Sequence, residues 1–496
     1  MTFTYGGDVN GRATNGLHAN GHSKGNATAV NRSQKRPIIT VFSGGTAANS
    51  LVDVFNKVVE PRRGKLNYVI PISDNGGSSS ELIRFVGGPS VGDIRSRLVR
   101  LIPTDEVASS SSSSYSLSSS SSASKEEEEM FALRQLFEHR LPSSDSNLAR
   151  REWQDIVESR SPLWTSISSS KKELIRSVLN TLNLEIVKRT RHPSNVYNFS
   201  GASIGNMFLT GARLFSGSFE SAIYLLSMVC SIPRWVQVLP AINSDHHTYH
   251  ISAELHDGTT LTGQVAISHP SEHTAIPDES EPNTSSRLPG SLAALDKPNL
   301  AFSKENDDDD LPARIKRVFY INLYGHELLP SPNAKVVEAL KSTTTVIYSI
   351  GSLYTSIIPS LIFPGVGKEL EESDGIRHRV LILNSRLDRE TGPVKGVKPE
   401  DRFTAKDFVG AIARACVESR DRERVGDEGI LGRVVSHLVY LDEQGDEGDL
   451  MPRVEREELE RLGITCVGVR GWREGKKGWR YDEEALREAL EGIVDS

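Results

Sequence analysis

Residues 37–50, PIITVFSGGTAANS, decide how this chain folds. The run Ile38-Ile39-Thr40-Val41-Phe42 is β-branched and aromatic with little polar interruption, the pattern of a strand buried on both faces of a parallel sheet. Gly44 and Gly45 end it, and residues 48–59 then carry apolar side chains at helical spacing. A second apolar run, 66–72, follows. A strand, helix and strand this close together imply a parallel pair joined by a right-handed crossover. The glycine turn sits where a strand hands over to a helix. There the backbone can approach an anion closely, and the free amides of the helix N-terminus can hold phosphate. It is neither G-x-G-x-x-G nor a P-loop, because the third glycine and the lysine are missing.

Outward from this unit the alternation continues. Helices are expected over 81–86, 130–139, 171–188, 206–215, 219–230, 333–340, 405–417, 454–462 and 481–494. Strands are expected over 236–241, 249–255, 260–267, 318–323, 345–350, 379–384, 437–441 and 465–468. The pair 249–255 and 260–267 turns at Asp257-Gly258, a favoured hairpin dipeptide, and reads as a small antiparallel excursion. The expected architecture is therefore α/β, a Rossmann-like, doubly wound, mainly parallel sheet.

Three stretches fall outside the pattern: 1–35, rich in Gly, Asn and His; 104–128, with a serine tract and the acidic run Glu126 to Glu129; and 271–312, which leads to four successive aspartates. None can bury enough apolar surface to offset the entropy of ordering, so a disordered tail and two disordered, solvated insertions are expected in one domain, 36–496.

The 496 residues carry a formal net charge of -7 with both signs mixed along the chain, which gives no footprint for nucleic acid. The three cysteines, Cys230, Cys416 and Cys466, are widely spaced and lack metal-ligand spacing, so reduced, buried thiols are expected. No signal-like apolar region opens the chain and no stretch approaches the roughly 18 apolar residues of a membrane span. The expectation is a cytoplasmic protein with no membrane partner. Asp245, His246, His247 and His250 include no E-x-x-H pattern and read as solvated loop histidines.

Four further segments resemble the first in kind. Ser73-Asp74-Asn75-Gly76-Gly77-Ser78-Ser79-Ser80 follows the second strand and offers a carboxylate, a carboxamide, a glycine pair and three hydroxyls, or else caps a helix. Gly92-Asp93-Ile94-Arg95 enters a helix that also holds Arg97 and Arg100; Arg95 suits a diphosphate, or else pairs with Asp93. Asn206 follows the small residues Gly201 to Gly205 and can donate and accept at once. Gly351-Ser352-Leu353-Tyr354-Thr355-Ser356 can point amides and hydroxyls at a phosphate, or simply cap a helix. Loops at the carboxyl ends of parallel strands share one crevice in an open α/β sheet.

These segments, with FALRQLFEHRL (131–141), VQVLPAI (236–242), SAELHDGTTLTGQVAI (252–267) and RFTAKDFVGAI (402–412), resemble the CofD/YvcK family, which unites YvcK-type gluconeogenesis factors with the 2-phospho-L-lactate transferase CofD. The likeness runs from about residue 37 to the C-terminus and is closer to YvcK. It implies a Rossmann-like fold with a nucleotide or UDP-sugar-like nucleotide sugar in the crevice. It carries over Gly44, Gly45, Thr46, Ser73, Asp74, Asn75, Gly76, Gly77, Ser78, Gly92, Asp93, Arg95, Asn206 and Gly351 through Ser356, including Leu353, Tyr354 and Thr355, as binding candidates. Ala47-Ala48 stand where relatives have further glycine, and Asn75 replaces the second carboxylate of an Asp-Asp pair, which removes an anionic ligand for Mg²⁺.

The reading that follows is a nucleotide-binding protein with a metabolic regulatory role, its loops closing over a diphosphate. The alternative is a CofD-like transferase moving a phospholactyl-type group to an acceptor hydroxyl. There Asp74 would hold Mg²⁺ or orient the acceptor, and Arg95 would stabilise the leaving phosphate. A scaffold with a vestigial pocket is a third reading, and a homo-oligomer is compatible with all three.

Overall fold

The computed structural model describes residues 36–73, 76–103, 120–268, 292, 310–394, 402–420, 428–443, 450–475 and 478–496, all within the unit Arg36–Ser496. Residues 1–35, 104–119 and most of 271–309, together with Asp74 and Asn75, lie outside them.

The strands of the two larger sheets are, in chain order, β1 (Ile38–Phe42), β2 (Lys65–Ile70), β3 (Val236–Pro240), β4 (His250–Leu255), β5 (Thr260–Thr262), β6 (Ile315–Ile321), β7 (Glu327–Leu328), β8 (Thr345–Tyr348), β9 (His378–Ile382), β10 (His437–Leu441) and β11 (Thr465–Val469). Seven of them form one sheet in the order β11-β10-β9-β8-β1-β2-β3, every pairing parallel. From β1 the chain winds outward through β2 to β3, then returns to the other side of β1 at β8 and winds away. This is the doubly wound order, and its direction reverses between β1 and β8.

The apolar run of β1 is what makes it the centre. Val41 and Phe42 are fully buried, and the Phe42 ring stacks on Tyr348 of β8 at 5.8 Å. Helix α1 (Val52–Val59) presses Val52, Phe55, Val58 and Val59 onto the sheet, as its periodicity requires. Its Asp53 pairs with Arg100 of a neighbouring helix.

Four sequence expectations are corrected. The strand expected over 318–323 is not part of the parallel sheet. It is β6, which pairs antiparallel with β4 from His250↔Ile321 to Leu255↔Ile315, in a second sheet ordered β5-β4-β6-β7. The strand expected through residue 267 ends at Thr262, because Gly263 takes φ +91 and the chain turns into a short helix, Gln264–Ser268. Residues 120–128 of the expected first insertion are helical: Ala, Lys and Glu favour that state, and the helix Ser120–Glu138 is tied down by Glu129, which accepts from the Ser168 amide (2.8 Å) and pairs with Lys171 (3.0 Å). Leu311, inside the second expected insertion, is buried and bridges to Val394.

A helix that escaped the sequence reading, Ser146–Val157, begins at Asp145, whose side chain accepts from Asn147 and Leu148. It seats Trp153 in the core, where the indole N–H donates to Asn183 (3.0 Å). His250 is a buried strand residue rather than a solvated one, while His246 and His247 are exposed. All three cysteines are free and buried. Among the described residues no helix is long and apolar enough to cross a membrane.

Candidate functional site

The reversal between β1 and β8 opens a crevice at their carboxyl ends. The first loop enters it held from beneath by Arg97, which is fully buried. Its Nη1 donates to the Ala48 carbonyl (3.2 Å), and its Nη2 to the Ser43 hydroxyl and the Gly44 carbonyl (3.2 Å each). The guanidinium lies 4.4 Å over the ring of Tyr68. Burial lowers the arginine's pKa and pushes the Tyr68 phenol up to about 12. Arg97 therefore spends its charge on the loop's architecture. Gly44 and Gly45 have no room for a side chain: a Cβ at Gly44 would stand 2.5 Å from Ser356 Oγ, and one at Gly45 would strike the Asp93 carboxylate. These two contacts interlock three of the expected segments.

Asn206 joins the others. Its Nδ2 donates to Ser78 Oγ (2.9 Å) and Ser79 Oγ (3.3 Å), while its Oδ1 accepts from Arg95 Nε (3.1 Å). Arg95 forms no salt bridge with Asp93 among the described residues, although the Asp93 charge acts on it, so the plain alternative raised by the sequence holds only as a longer-range attraction. Burial, and then the positive charge of Arg140, push the Arg95 pKa down to about 10. Gly205 permits this packing, since a Cβ there would meet the Phe137 carbonyl at 2.5 Å and Arg95 Cγ at 2.8 Å. Arg140 is exposed, with Nη1 on the Gly201 carbonyl at 3.3 Å. Among the described residues neither Arg95 nor Arg140 forms a salt bridge with a carboxylate.

The fifth segment differs from expectation. Gly351, at φ +141, is bracketed by Asn384, which accepts its amide (2.9 Å) and donates to its carbonyl (2.8 Å). The amides of Tyr354 and Thr355 donate to Glu390 Oε2 (2.7 and 3.2 Å), and the Thr355 hydroxyl to Oε1 (2.5 Å). Those amides are taken by the chain's own carboxylate, so the segment is not the amide cradle that its sequence suggested.

The result is one cavity of about 450 Å³. Of the sequence candidates, Gly44, Gly45, Thr46, Gly76, Gly77, Ser78, Gly92, Asp93, Arg95, Asn206, Gly351, Ser352, Thr355 and Ser356 line it. Ser73, Leu353 and Tyr354 are buried behind the wall. Asp74, the candidate metal ligand and catalytic residue, and Asn75 fall outside the described residues.

Ser79, one of the three hydroxyls of the second segment, also lines the cavity, as do Arg140, Ser96, Gln264, Val265 and Ser268, which the sequence does not single out as site residues. Arg140 carried one signal, its place in the quoted stretch 131–141. Gln264 and Val265 were hidden by the strand expected through 267, and Ser268 lies one residue beyond it. Among the described residues no group of three or more His, Cys, Asp and Glu is arranged to hold a metal.

The family model described as 2-phospho-L-lactate transferase CofD matches residues 39–470. An uncharacterized protein of Saccharomyces cerevisiae is 38% identical over 433 residues, covering 81% of this chain and 90% of its own. A gluconeogenesis factor of Halalkalibacterium halodurans is 22% identical over 385 residues, 77% of this chain and 74% of its own. A crystal structure of a Bacillus halodurans protein superposes with a TM-score of 0.55 over 92% of this chain and 99% of that one; at 19% identity the likeness is one of fold.

Proposed function

Because this chain belongs to the CofD family, whose sequence model spans most of its length, we propose that its cavity binds a nucleotide or nucleotide sugar and that occupancy serves a metabolic regulatory role. The observation that carries the reading is convergence. Segments as far apart as Gly44, Gly76, Gly92, Asn206 and Ser352 face one space, and the Arg95–Asn206–Ser78 chain of hydrogen bonds ties three of them together. Its volume, about 450 Å³, suits a small organic ligand. Two arginines that form no salt bridge with a carboxylate among the described residues favour an anion, and a guanidinium fork engages two phosphate oxygens at once. Relatives named gluconeogenesis factors support the metabolic role.

The transferase reading draws on the family's description and is separated by the same experiment. Isothermal titration with UDP-sugars, UDP and GDP, with and without Mg²⁺, is followed by an assay for nucleoside monophosphate release with an acceptor alcohol. Tight, metal-independent binding without turnover supports the regulatory binder. Metal-dependent release supports the transferase, and absence of binding by every nucleotide refutes both.

A further inference from the structure

The wall of the cavity that follows β8 rests on two acids. Glu390 is buried beneath the Tyr354 and Thr355 amides and the Thr355 hydroxyl, all of which it accepts. Asp388 accepts the amides of Glu390 (3.1 Å) and Thr391 (3.2 Å), the Thr391 hydroxyl (2.9 Å) and a hydrogen bond from Ser352. Ser352 and Thr355 face the cavity on their other side.

Among the described residues the titratable and charged groups around the pair are Tyr354, Arg414, Asp407 and Arg389. Tyr354, in the supported turn, is a phenol pushed up to about 12. Arg414 and Asp407, from the helix Ala405–Glu418, act on that phenol. Arg389, between the two acids, turns its Nε to the Ile267 carbonyl (3.2 Å). The helix Gln264–Ser268 contributes the uncharged Gln264 and Ser268 to this side of the cavity. Among the described residues neither acid has a salt bridge.

Glu390 is buried and Asp388 is half-buried beside it, and burial together with a neighbouring carboxylate opposes ionisation of both at once. We propose that Asp388 and Glu390 are positioning residues that keep one proton between them at neutral pH, hold the Gly351–Ser356 wall in place with it, and bind that proton more tightly when an anion occupies the cavity. Burial, and then the charge of Asp388, push Glu390 up to about 8, and burial raises Asp388 as well. Loss of the proton places a second negative charge behind the wall and opposes an anionic ligand. Affinity therefore falls as pH rises through this region. If occupancy raises the pair's pKa by one unit, the loss between pH 6.5 and 8.5 is about threefold.

The coupling rests on the proposed anion site, whereas the proton does not, and the test separates them. Carboxyl-¹³C NMR of the full chain without ligand should show a resonance titrating near pH 8, absent in Glu390→Gln and shifted to lower pH in Asp388→Asn. Asp388→Asn leaves the Glu390 acceptor in place, so it serves if Glu390→Gln does not fold. No carboxyl titrating above pH 6, or a midpoint that Asp388→Asn does not move, overturns the proposal. UDP-glucose titrations should show the threefold weakening in the wild type and a flat profile in Glu390→Gln. A flat wild-type profile overturns the coupling. No UDP-glucose binding, with the midpoint near 8 present, upholds the proton pair and counts against the nucleotide reading.

Discussion

Arg97→Met separates the residue that builds the first loop from the residue placed to meet a ligand. The methionine fills most of the stem's volume but leaves the Ala48 and Gly44 carbonyls and the Ser43 hydroxyl without their donor, in a place where Arg97 itself is fully shielded from solvent. Each hydrogen bond from a charged group contributes about 1.5–3 kcal/mol. Relief from burying a guanidinium offsets part of this, the more so because Nε of Arg97 has no hydrogen-bond partner among the described residues. The net expectation is a loss of about 3–5 kcal/mol. Urea denaturation followed by circular dichroism should show it as a lower midpoint with an unchanged slope. Arg97→Lys should fall between, since a compact ammonium cannot span all three acceptors. A methionine variant within about 1 kcal/mol of wild type would mean that the loop is not held from beneath, and the assignment of Arg97 as its strut would be wrong.

Arg95→Ala should do the opposite: a small change in stability, with affinity for diphosphate ligands weakened by about 1.5–3 kcal/mol in calorimetry. Equal affinity in the folded variant would remove Arg95 from the site. Gly45→Val should abolish that binding, because even a Cβ strikes the Asp93 carboxylate; an active valine variant would refute the close packing.

At the other end of the sheet, the rings of His378 and His437 lie 5.4 Å apart, and burial lowers the pKa of both. Among the described residues, neither ring nitrogen of the buried His378 has a hydrogen-bond partner. A group with a lowered folded pKa contributes stability that is present above the unfolded value, near 6.5, and is lost as pH falls below it. Thermal melts from pH 7.5 to 5.5 should therefore drop less steeply in His378→Leu than in wild type, and parallel curves would dismiss the histidine pair.

Much of the fold was legible because each parallel strand is a short apolar run ending in a polar or glycine turn, as at Phe42-Ser43-Gly44 and Tyr348-Ser349-Ile350-Gly351. Position 263 was not legible. Asp257-Gly258 announces a hairpin, but nothing local says that Gly263 stops the second strand after Thr262. β6 could not be assigned to its sheet for a related reason. An apolar run states that a strand is buried, while its partner is chosen by tertiary packing. The choice of Arg95 over Arg97 is readable in hindsight, since residues two apart on a helix point to nearly opposite sides. The sealing of the Tyr354 and Thr355 amides by Glu390 was invisible. The acid lies 35 positions downstream of Thr355 with no signal linking it to that turn.

Hydrogen exchange with mass spectrometry, with and without saturating pyrophosphate, tests the convergence of these loops most directly. Slower exchange should appear together in peptides covering 43–48, 76–79, 92–96 and 204–207, with a smaller effect at 351–356, where Glu390 already occupies two amides. Protection confined to one of these peptides, or found in none, would contradict a shared anion site.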